Sequence, residues 1–146
     1  MQIQRSIDTT SAPQRVWPFL VEPERILRWF TLLESFEYTS GITRGSGSTF
    51  RYEERSAGRL MKLEYRVTEW VENERFAFTL VSGPLARDDQ VWRVESQATG
   101  SRITLQEDVE LSGGAFGRML LALFVGRTIG KHLEDMLARL KALVEA

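Results

Sequence analysis

Residues 115–146, AFGRMLLALFVGRTIGKHLEDMLARLKALVEA, decide the fold, because their apolar periodicity is that of one long helix after a long run of strand-like sequence. At about 3.6 residues per turn, one helix face carries Met119, Ala122, Gly126, Gly130, Leu133, Leu137, Leu140 and Val144. Gly126 and Gly130 interrupt this face at a cost of about 1 kcal/mol each relative to alanine. Such a gap in a helix that packs on a sheet predicts an apolar ligand cavity, bordered on the helix by Met119, Leu123, Gly126 and Gly130. The alternative is that the glycines only permit close contact between helix and sheet, or a bend.

Length and composition limit the classes of function. The 146 residues predict a single domain, residues 1–146, which at this size buries about 68 to 70% of its unfolded surface. The chain has no cysteine and one histidine, which excludes thiol nucleophiles, iron-sulfur clusters and zinc sites built from Cys or several His. A net charge of −1 argues against a nucleic-acid partner, which needs a clustered basic face. We therefore expect no metal, no cofactor and no nucleic acid.

The sequence also bears on membrane association. Residues 1–8 lack the apolar core of a signal peptide, and the longest apolar run is residues 119–125. That run is far shorter than the roughly 20 residues of a membrane-spanning helix. We expect a soluble, cytoplasmic protein.

The remaining sequence predicts strands with two short helices near the start. A first strand over residues 3–9 is followed by Ser11 and Gln14 at capping-box spacing, which predicts a short helix there. Pro23 suits the first turn of a second short helix. Alternation and turn residues predict further strands over residues 33–40, 48–55, 60–71, 75–82, 89–97 and 102–111. The prediction is an α+β domain in which six hairpin-linked strands form a meander and the long helix covers one face of the sheet.

Several segments resemble a known superfamily. They are SAPQRVW at residues 11–17, EPERILRWF at 22–30, the TGSRIT hairpin at 99–104 and the leucine-rich helix at 133–143. Together with the order of elements, they resemble the SRPBCC or START-like superfamily over essentially the whole chain, and most closely its polyketide cyclase/dehydrase-like branch. The resemblance implies a helix-grip fold, in which a seven-stranded antiparallel sheet curls around the carboxy-terminal helix. It also implies a deep apolar cavity for lipids, sterols, quinones, polyketides or similar molecules, in carriers, sensors or enzymes.

Strand alternation predicts which side chains line such a cavity. On each strand, the face that carries the aromatic residues is the better candidate for the inner face. The predicted ligand-binding side chains outside the long helix are Trp29, Phe50, Tyr52, Tyr65, Phe78, Trp92 and Glu107. The alternative is that they fill an ordinary core at normal density.

Three carboxylates fall in register with the predicted inner face, namely Glu54, Glu69 and Glu107. Burial there would raise their pKa values and suit them to acid or base catalysis. The catalytic candidates are Glu107, Glu54 and Tyr65, although ion pairs with arginines would explain the acids equally well. By contrast, Asp88 and Asp89 are interpreted as solvated residues after a turn, and His132 is predicted to lie on the outer surface of the helix.

The opposite side of the long helix is also apolar, with Leu120, Leu121, Phe124 and Val125. Either the two short helices cover it, or it forms a homodimer contact or an entry gate near Trp29, Phe30 and Phe124. Three functions stay open at this stage. The first is a carrier, sensor or presenting module for a small hydrophobic molecule. The others are a cyclase/dehydrase-type enzyme with an inward Glu or Tyr, and a protein-interaction module that uses the outer apolar patch.

Overall fold

The computed structural model describes residues 1–42, 44–56, 58–120 and 126–146. The strands are β1 (Gln2–Thr9), β2 (Leu33–Tyr38), β3 (Thr49–Ser56), β4 (Arg59–Val71), β5 (Arg75–Ser82), β6 (Leu85–Gln97) and β7 (Gly100–Leu111). The helices are α1 (Pro13–Val21), α2 (Pro23–Trp29), α3 (Gly114–Leu120) and α4 (Gly126–Val144).

The strands form one antiparallel sheet in the order β1-β7-β6-β5-β4-β3-β2. Strands β2 to β7 are a meander, and β1 completes the sheet by pairing with β7. Gly100 makes the turn between β6 and β7 at a φ of +140°, and a Cβ there would collide with the carbonyl oxygen of Thr9. The prediction of a seven-stranded antiparallel sheet curled around the carboxy-terminal helix is confirmed.

Helix α4 covers the sheet and packs chiefly on β1. Its buried side chains are Leu133, Met136, Leu137, Leu140 and Val144. Each stabilises the fold by about 1.5 to 3 kcal/mol relative to an exposed side chain. The predicted helix over residues 115–146 corresponds to α3 and α4. Residues 121–125, which include Leu123, Phe124 and most of the predicted outer apolar patch, lie outside the described residues.

The predicted capping box at Ser11 is wrong. Ala12 is the N-cap of α1 and Pro13 occupies its first turn, whereas the Ser11 hydroxyl donates to the carbonyl oxygen of Val144 at 2.6 Å. Arg15 Nε donates to the same oxygen at 2.5 Å. The side chain at position 11 therefore holds the end of α4 against the start of α1.

The gap expected at Gly130 is filled by a side chain from β1. A Cβ at Gly130 would lie 2.6 Å from Arg5 Nη2. This glycine allows close approach of α4 to β1, which is the alternative that the sequence left open. In the part of the chain that the structure describes, no helix is long and apolar enough to span a membrane.

Candidate functional site

A pocket of about 700 Å³ lies between the inner face of the sheet and α4. We call it the main pocket. Strands β3, β4, β6 and β7 form one side, and α4 forms the other together with Phe30, which follows α2. Its apolar walls include Leu63, Leu105, Val109, Ile129, Leu133 and Met136. The volume is in the range of small-molecule sites.

A second depression of about 880 Å³ lies elsewhere, between the start of α1 and the end of β6 that joins β7. It is more open to solvent than the main pocket and its lining is more polar. Small-molecule sites are concave and mostly apolar. The main pocket is therefore the better candidate.

Asp88 is a polar residue of the main pocket that the sequence did not indicate. The interpretation of Asp88 as solvated is wrong, because the residue is 2% exposed and lies on the pocket wall. Strand β6 begins at Leu85 rather than at the predicted residue 89, so alternation continues upstream and places Asp88 on the same face as Gln90 and Trp92. A predicted strand that began at Leu85 would have placed Asp88 on the inner face of the sheet.

Hydrogen bonds from two directions converge on Asp88. Tyr65 donates its hydroxyl proton to Asp88 Oδ2 at 2.6 Å, so Tyr52, 2.9 Å from the Tyr65 oxygen, must be the donor to it. On the other side, Trp92 Nε1 donates to Gln90 Oε1 at 3.3 Å, and Gln90 Nε2 donates to Asp88 Oδ2 at 3.2 Å. Both series of hydrogen bonds end in a donor to Asp88, and these donors stabilise its carboxylate form.

Glu107 is the second acid of this wall. It lies opposite Gln90 in the ladder between β6 and β7, and Asp88 lies opposite Val109, so the two acids are diagonal neighbours on one face. Their carboxyl groups are within hydrogen-bonding reach. We call Asp88 and Glu107 the acid pair.

Burial controls the protonation of these groups. It raises the pKa of Glu107 well above its ordinary value, and the charge of Asp88 adds to the effect. Burial also raises the pKa of Asp88, although hydrogen bonds from Tyr65, Glu107 and Gln90 oppose it. Since the donors converge on Asp88, the arrangement at neutral pH is a protonated Glu107 beside an ionised Asp88. The pKa of Glu54 is raised to about 7, first by burial and then by Asp88.

Of the side chains predicted to bind ligand, Tyr52, Trp92 and Glu107 lie on the wall of the main pocket, together with the catalytic candidate Glu54. Tyr65 stands behind the wall, is fully buried and reaches the pocket through Asp88. Burial raises the pKa of Tyr65 well above its ordinary value. Its hydroxyl therefore acts as a hydrogen-bond donor rather than as a base.

Three other predicted side chains lie in the aromatic core instead. Phe50 stacks on Phe36 and Tyr65, with ring centroids 4.7 and 5.3 Å away. Phe78 packs edge-on against Phe50 at 5.0 Å. Trp29 donates its indole N–H to the carbonyl oxygen of Phe19 at 2.8 Å. Alternation along a strand distinguishes inward from outward side chains. It does not distinguish side chains of the packed core from side chains of the pocket wall.

The helical residues predicted to border the cavity do not lie on the main pocket wall. Met119 is on α3 and is 47% exposed. Gly126 begins α4, and Gly130 faces Arg5. Leu123 lies outside the described residues. The pocket side of α4 instead presents Thr128, Ile129, His132, Leu133 and Met136.

Two further expectations are corrected. Glu69 is not inward: a register irregularity between Val67 and Glu69 turns it outward, where it pairs with Arg75 Nε at 2.6 Å. His132 is not on the outer surface, because it lines the main pocket and packs against Phe30 with ring centroids 6.5 Å apart. Burial lowers the pKa of His132.

Glu54, Asp88 and Glu107 lie on one wall of the main pocket, which we call the acid wall. This wall does not have the form of a metal centre. Within the described ranges, no group of three or more His, Cys, Asp or Glu is placed to hold a metal ion. The acids instead offer one donor, protonated Glu107, and one acceptor, Asp88. This arrangement can orient a polar group of a ligand or transfer a proton.

Comparisons with known proteins identify a family and similar structures. The sequence profile of the family described as "Polyketide cyclase / dehydrase and lipid transport" matches residues 1–145. A protein of Thermus thermophilus is similar in structure with a TM-score of 0.83 at 21% identity, over 99% of this chain and 97% of that chain. A START superfamily protein from Mycobacterium smegmatis has a TM-score of 0.81 at 16% identity, over 99% and 97% of the two chains.

The Zhui aromatase/cyclase from Streptomyces sp. R1128 has a TM-score of 0.79 at 14% identity, over 99% of this chain and 93% of that chain. At such identities these likenesses establish the fold alone. No curated protein is similar enough in sequence to count as a relative.

Proposed function

Since this chain belongs to the polyketide cyclase/dehydrase and lipid transport family, we propose that it binds a bulky, largely apolar small molecule in the main pocket, as a carrier, sensor or presenting module. The observation that carries the proposal is a pocket of about 700 Å³ with apolar walls and one polar wall. Apolar surface supplies affinity, and a few polar groups fix the orientation of a ligand. A cytoplasmic location and a homodimer stay predictions.

Native mass spectrometry of the freshly purified protein tests this proposal directly. A co-purifying apolar molecule supports it. Binding of 1-pyrenemethanol, a fluorescent apolar probe with one hydroxyl, gives a second measurement that needs no knowledge of the natural ligand. No co-purifying molecule together with no probe binding would contradict the proposal.

Blocking the main pocket should abolish probe binding. The chain has no cysteine, so a single introduced thiol can be labelled uniquely. Ile129 lies on the pocket side of α4. We expect Ile129→Cys, once labelled with N-benzylmaleimide, to bind 1-pyrenemethanol about tenfold more weakly or worse, because the label occupies the space that the probe needs. Fluorescence titration measures the affinity.

The matched control is Lys131→Cys with the same label, two residues away on α4. Lys131 is 73% exposed and does not line the main pocket. Its labelled form should bind the probe as the unmodified protein does. Equal affinities for the two labelled variants would place the probe outside the main pocket.

The acid pair supports a second candidate function, an acid–base enzyme of the cyclase/dehydrase type. Asp88 would remove a proton from the carbon between two carbonyl groups, and protonated Glu107 would donate to a carbonyl oxygen. The donors that converge on Asp88 suit it to act as the base, and the burial that keeps Glu107 protonated suits it to act as the acid. Tyr65 would act as a positioning residue through its bond to Asp88.

We expect Glu107→Gln to slow cyclisation of a poly-β-ketone thioester about a hundredfold, because the amide cannot act as an acid. The fold should survive, since the replacement is nearly isosteric. Glu110→Gln, on the same strand, is the control and should retain the rate. If the unmodified protein binds such a compound and returns it unchanged, the binding function stands and the enzyme function does not.

A further inference from the structure

We propose that the natural ligand carries a protonated amine beside its apolar body, with the nitrogen held at the acid pair. This inference rests on the proposed function and specifies the ligand class of the same site. Three features of the site favour an amine: a free acceptor position on Asp88, the charge of the wall, and the apolar side chains around the acid pair.

The first observation is Asp88 Oδ1. Tyr65 and Gln90 both donate to the other oxygen, Oδ2. Oδ1 is buried and receives no hydrogen bond from any amide, hydroxyl or indole of the described residues. Among the described residues, protonated Glu107 is the donor that remains within reach of this carboxylate, so Oδ1, which can accept two hydrogen bonds, keeps a free acceptor position. A ligand N–H group would satisfy it.

The second observation is the unbalanced charge of the wall. Glu54, Asp88 and Glu107 all line the main pocket. None of them forms an ion pair with a Lys, Arg or His of the described part of the chain. Arg59 and Lys62 also border the pocket, but both are exposed. Buried carboxylates are normally paired, because desolvation of an unpaired charge is costly.

The acid pair with one shared proton has a charge of −1, so a single ammonium group would neutralise it. An ammonium group also donates up to three hydrogen bonds, which suits Asp88 Oδ1 and a carboxyl oxygen of Glu107. A neutral alcohol could donate to Oδ1 but would leave the charge unbalanced. A carboxylate or phosphate group would add repulsion.

The surrounding side chains suit the rest of such a ligand. The rings of Tyr52 and Trp92 line the same wall as the acid pair, and aromatic faces attract cations. Leu105, Leu133 and Met136 provide the apolar surface on the remaining sides. An apolar body would lie against them while its nitrogen reached Asp88.

The test compares two probes with the same apolar body, 1-pyrenemethylamine and 1-pyrenemethanol, at pH 7. We expect the unmodified protein to bind the amine about tenfold more tightly or better, because only the amine neutralises the acid pair. 1-Pyrenecarboxylate should bind most weakly. Fluorescence titration at fixed ionic strength gives the three affinities without any substitution.

Asp88→Asn then locates the preference. Asparagine keeps the size of the side chain and removes the charge, so the amine should lose its advantage over the alcohol. Asp89→Asn is the matched control: the neighbouring residue bonds Thr79 and pairs with Arg87 away from the main pocket, and its loss should leave the preference intact. Should Asp88→Asn fail to fold, Asp88→Ser removes the same charge and keeps a small side chain that can form hydrogen bonds.

The outcomes separate this inference from the function on which it rests. Tight binding of the alcohol with no preference for the amine would overturn the amine proposal and leave apolar ligand binding in place. Failure of all three probes would contradict both. A preference for the amine that survives in a folded variant without the Asp88 charge, Asp88→Asn or Asp88→Ser, would place the cation elsewhere and overturn the assignment to the acid pair.

Discussion

Phe50→Ala is expected to lower the free energy of unfolding by about 3 to 5 kcal/mol, the usual cost of removing a buried phenylalanine. The Phe50 side chain is fully buried and touches the rings of Phe36, Tyr65 and Phe78. Its loss leaves a cavity between strands that cannot close without moving the sheet. Denaturant unfolding monitored by circular dichroism measures the change.

The matched control is Arg51→Ala on the other face of the same strand. Arg51 is 42% exposed and pairs with Glu37 and Glu64, so its removal should cost less than about 1 kcal/mol. The folded fraction of Phe50→Ala should bind 1-pyrenemethanol with unchanged affinity. Lost binding with a small loss of stability would instead assign Phe50 to the ligand site, as the sequence alone suggested.

The sequence predicted the fold well because each element carries its own local signal. Glycine turns separate the strands, alternation marks their inner faces, and Pro23 begins α2 as expected. The element order then leaves few topologies, since hairpin-linked strands pair with their neighbours. The resemblance to a known superfamily led to the same architecture.

Details that depend on contacts between distant residues were not predictable in this way. The Ser11 hydroxyl bonds the end of α4 rather than its own helix, and Gly130 accommodates Arg5. A bulge turns the Glu69 side chain outward, although alternation along β4 predicts that it points inward. Each of these outcomes is decided by a partner more than sixty residues away or by one extra residue in a ladder, and neither leaves a periodic signal.

Of the acid pair, the sequence indicated Glu107 but not Asp88. Glu107 was recognised because apolar residues flank it at alternate positions, whereas Asp88 stands four residues after Pro84 and between the charged residues Arg87 and Asp89, which resembles the end of a turn. Strand β6 extends upstream because Leu85 and Arg87 pair with Leu111 and Glu110 of β7. Pairing with a long partner strand lengthened β6 beyond its local pattern.

The stability of the protein is expected to fall as the pH rises from about 5 to 8. Glu54 has a pKa near 4.5 when unfolded and about 7 in the folded protein. Between these values the folded state holds a proton that the unfolded state has lost, so the free energy of unfolding decreases with pH. The shift corresponds to about 3 kcal/mol from Glu54. Glu107 and Asp88, whose pKa values are also raised, act in the same direction.

Urea unfolding at several pH values measures this dependence, and Glu54→Gln should reduce it. The variant should match the unmodified protein near pH 5, where Glu54 is protonated, and exceed it in stability at pH 8, where the buried carboxylate is ionised. Glu53→Gln is the control, because this neighbour lies on the other face of β3. Asp8, Glu34 and Glu145 have lowered pKa values, so they affect stability mainly below pH 4.5. His132, whose pKa burial lowers, acts in the opposite direction to Glu54 below about pH 6.5, so the comparison of Glu54→Gln with Glu53→Gln isolates the contribution of Glu54. An equal slope in Glu54→Gln and Glu53→Gln would contradict the prediction and show that Glu54 is hydrated in the folded protein.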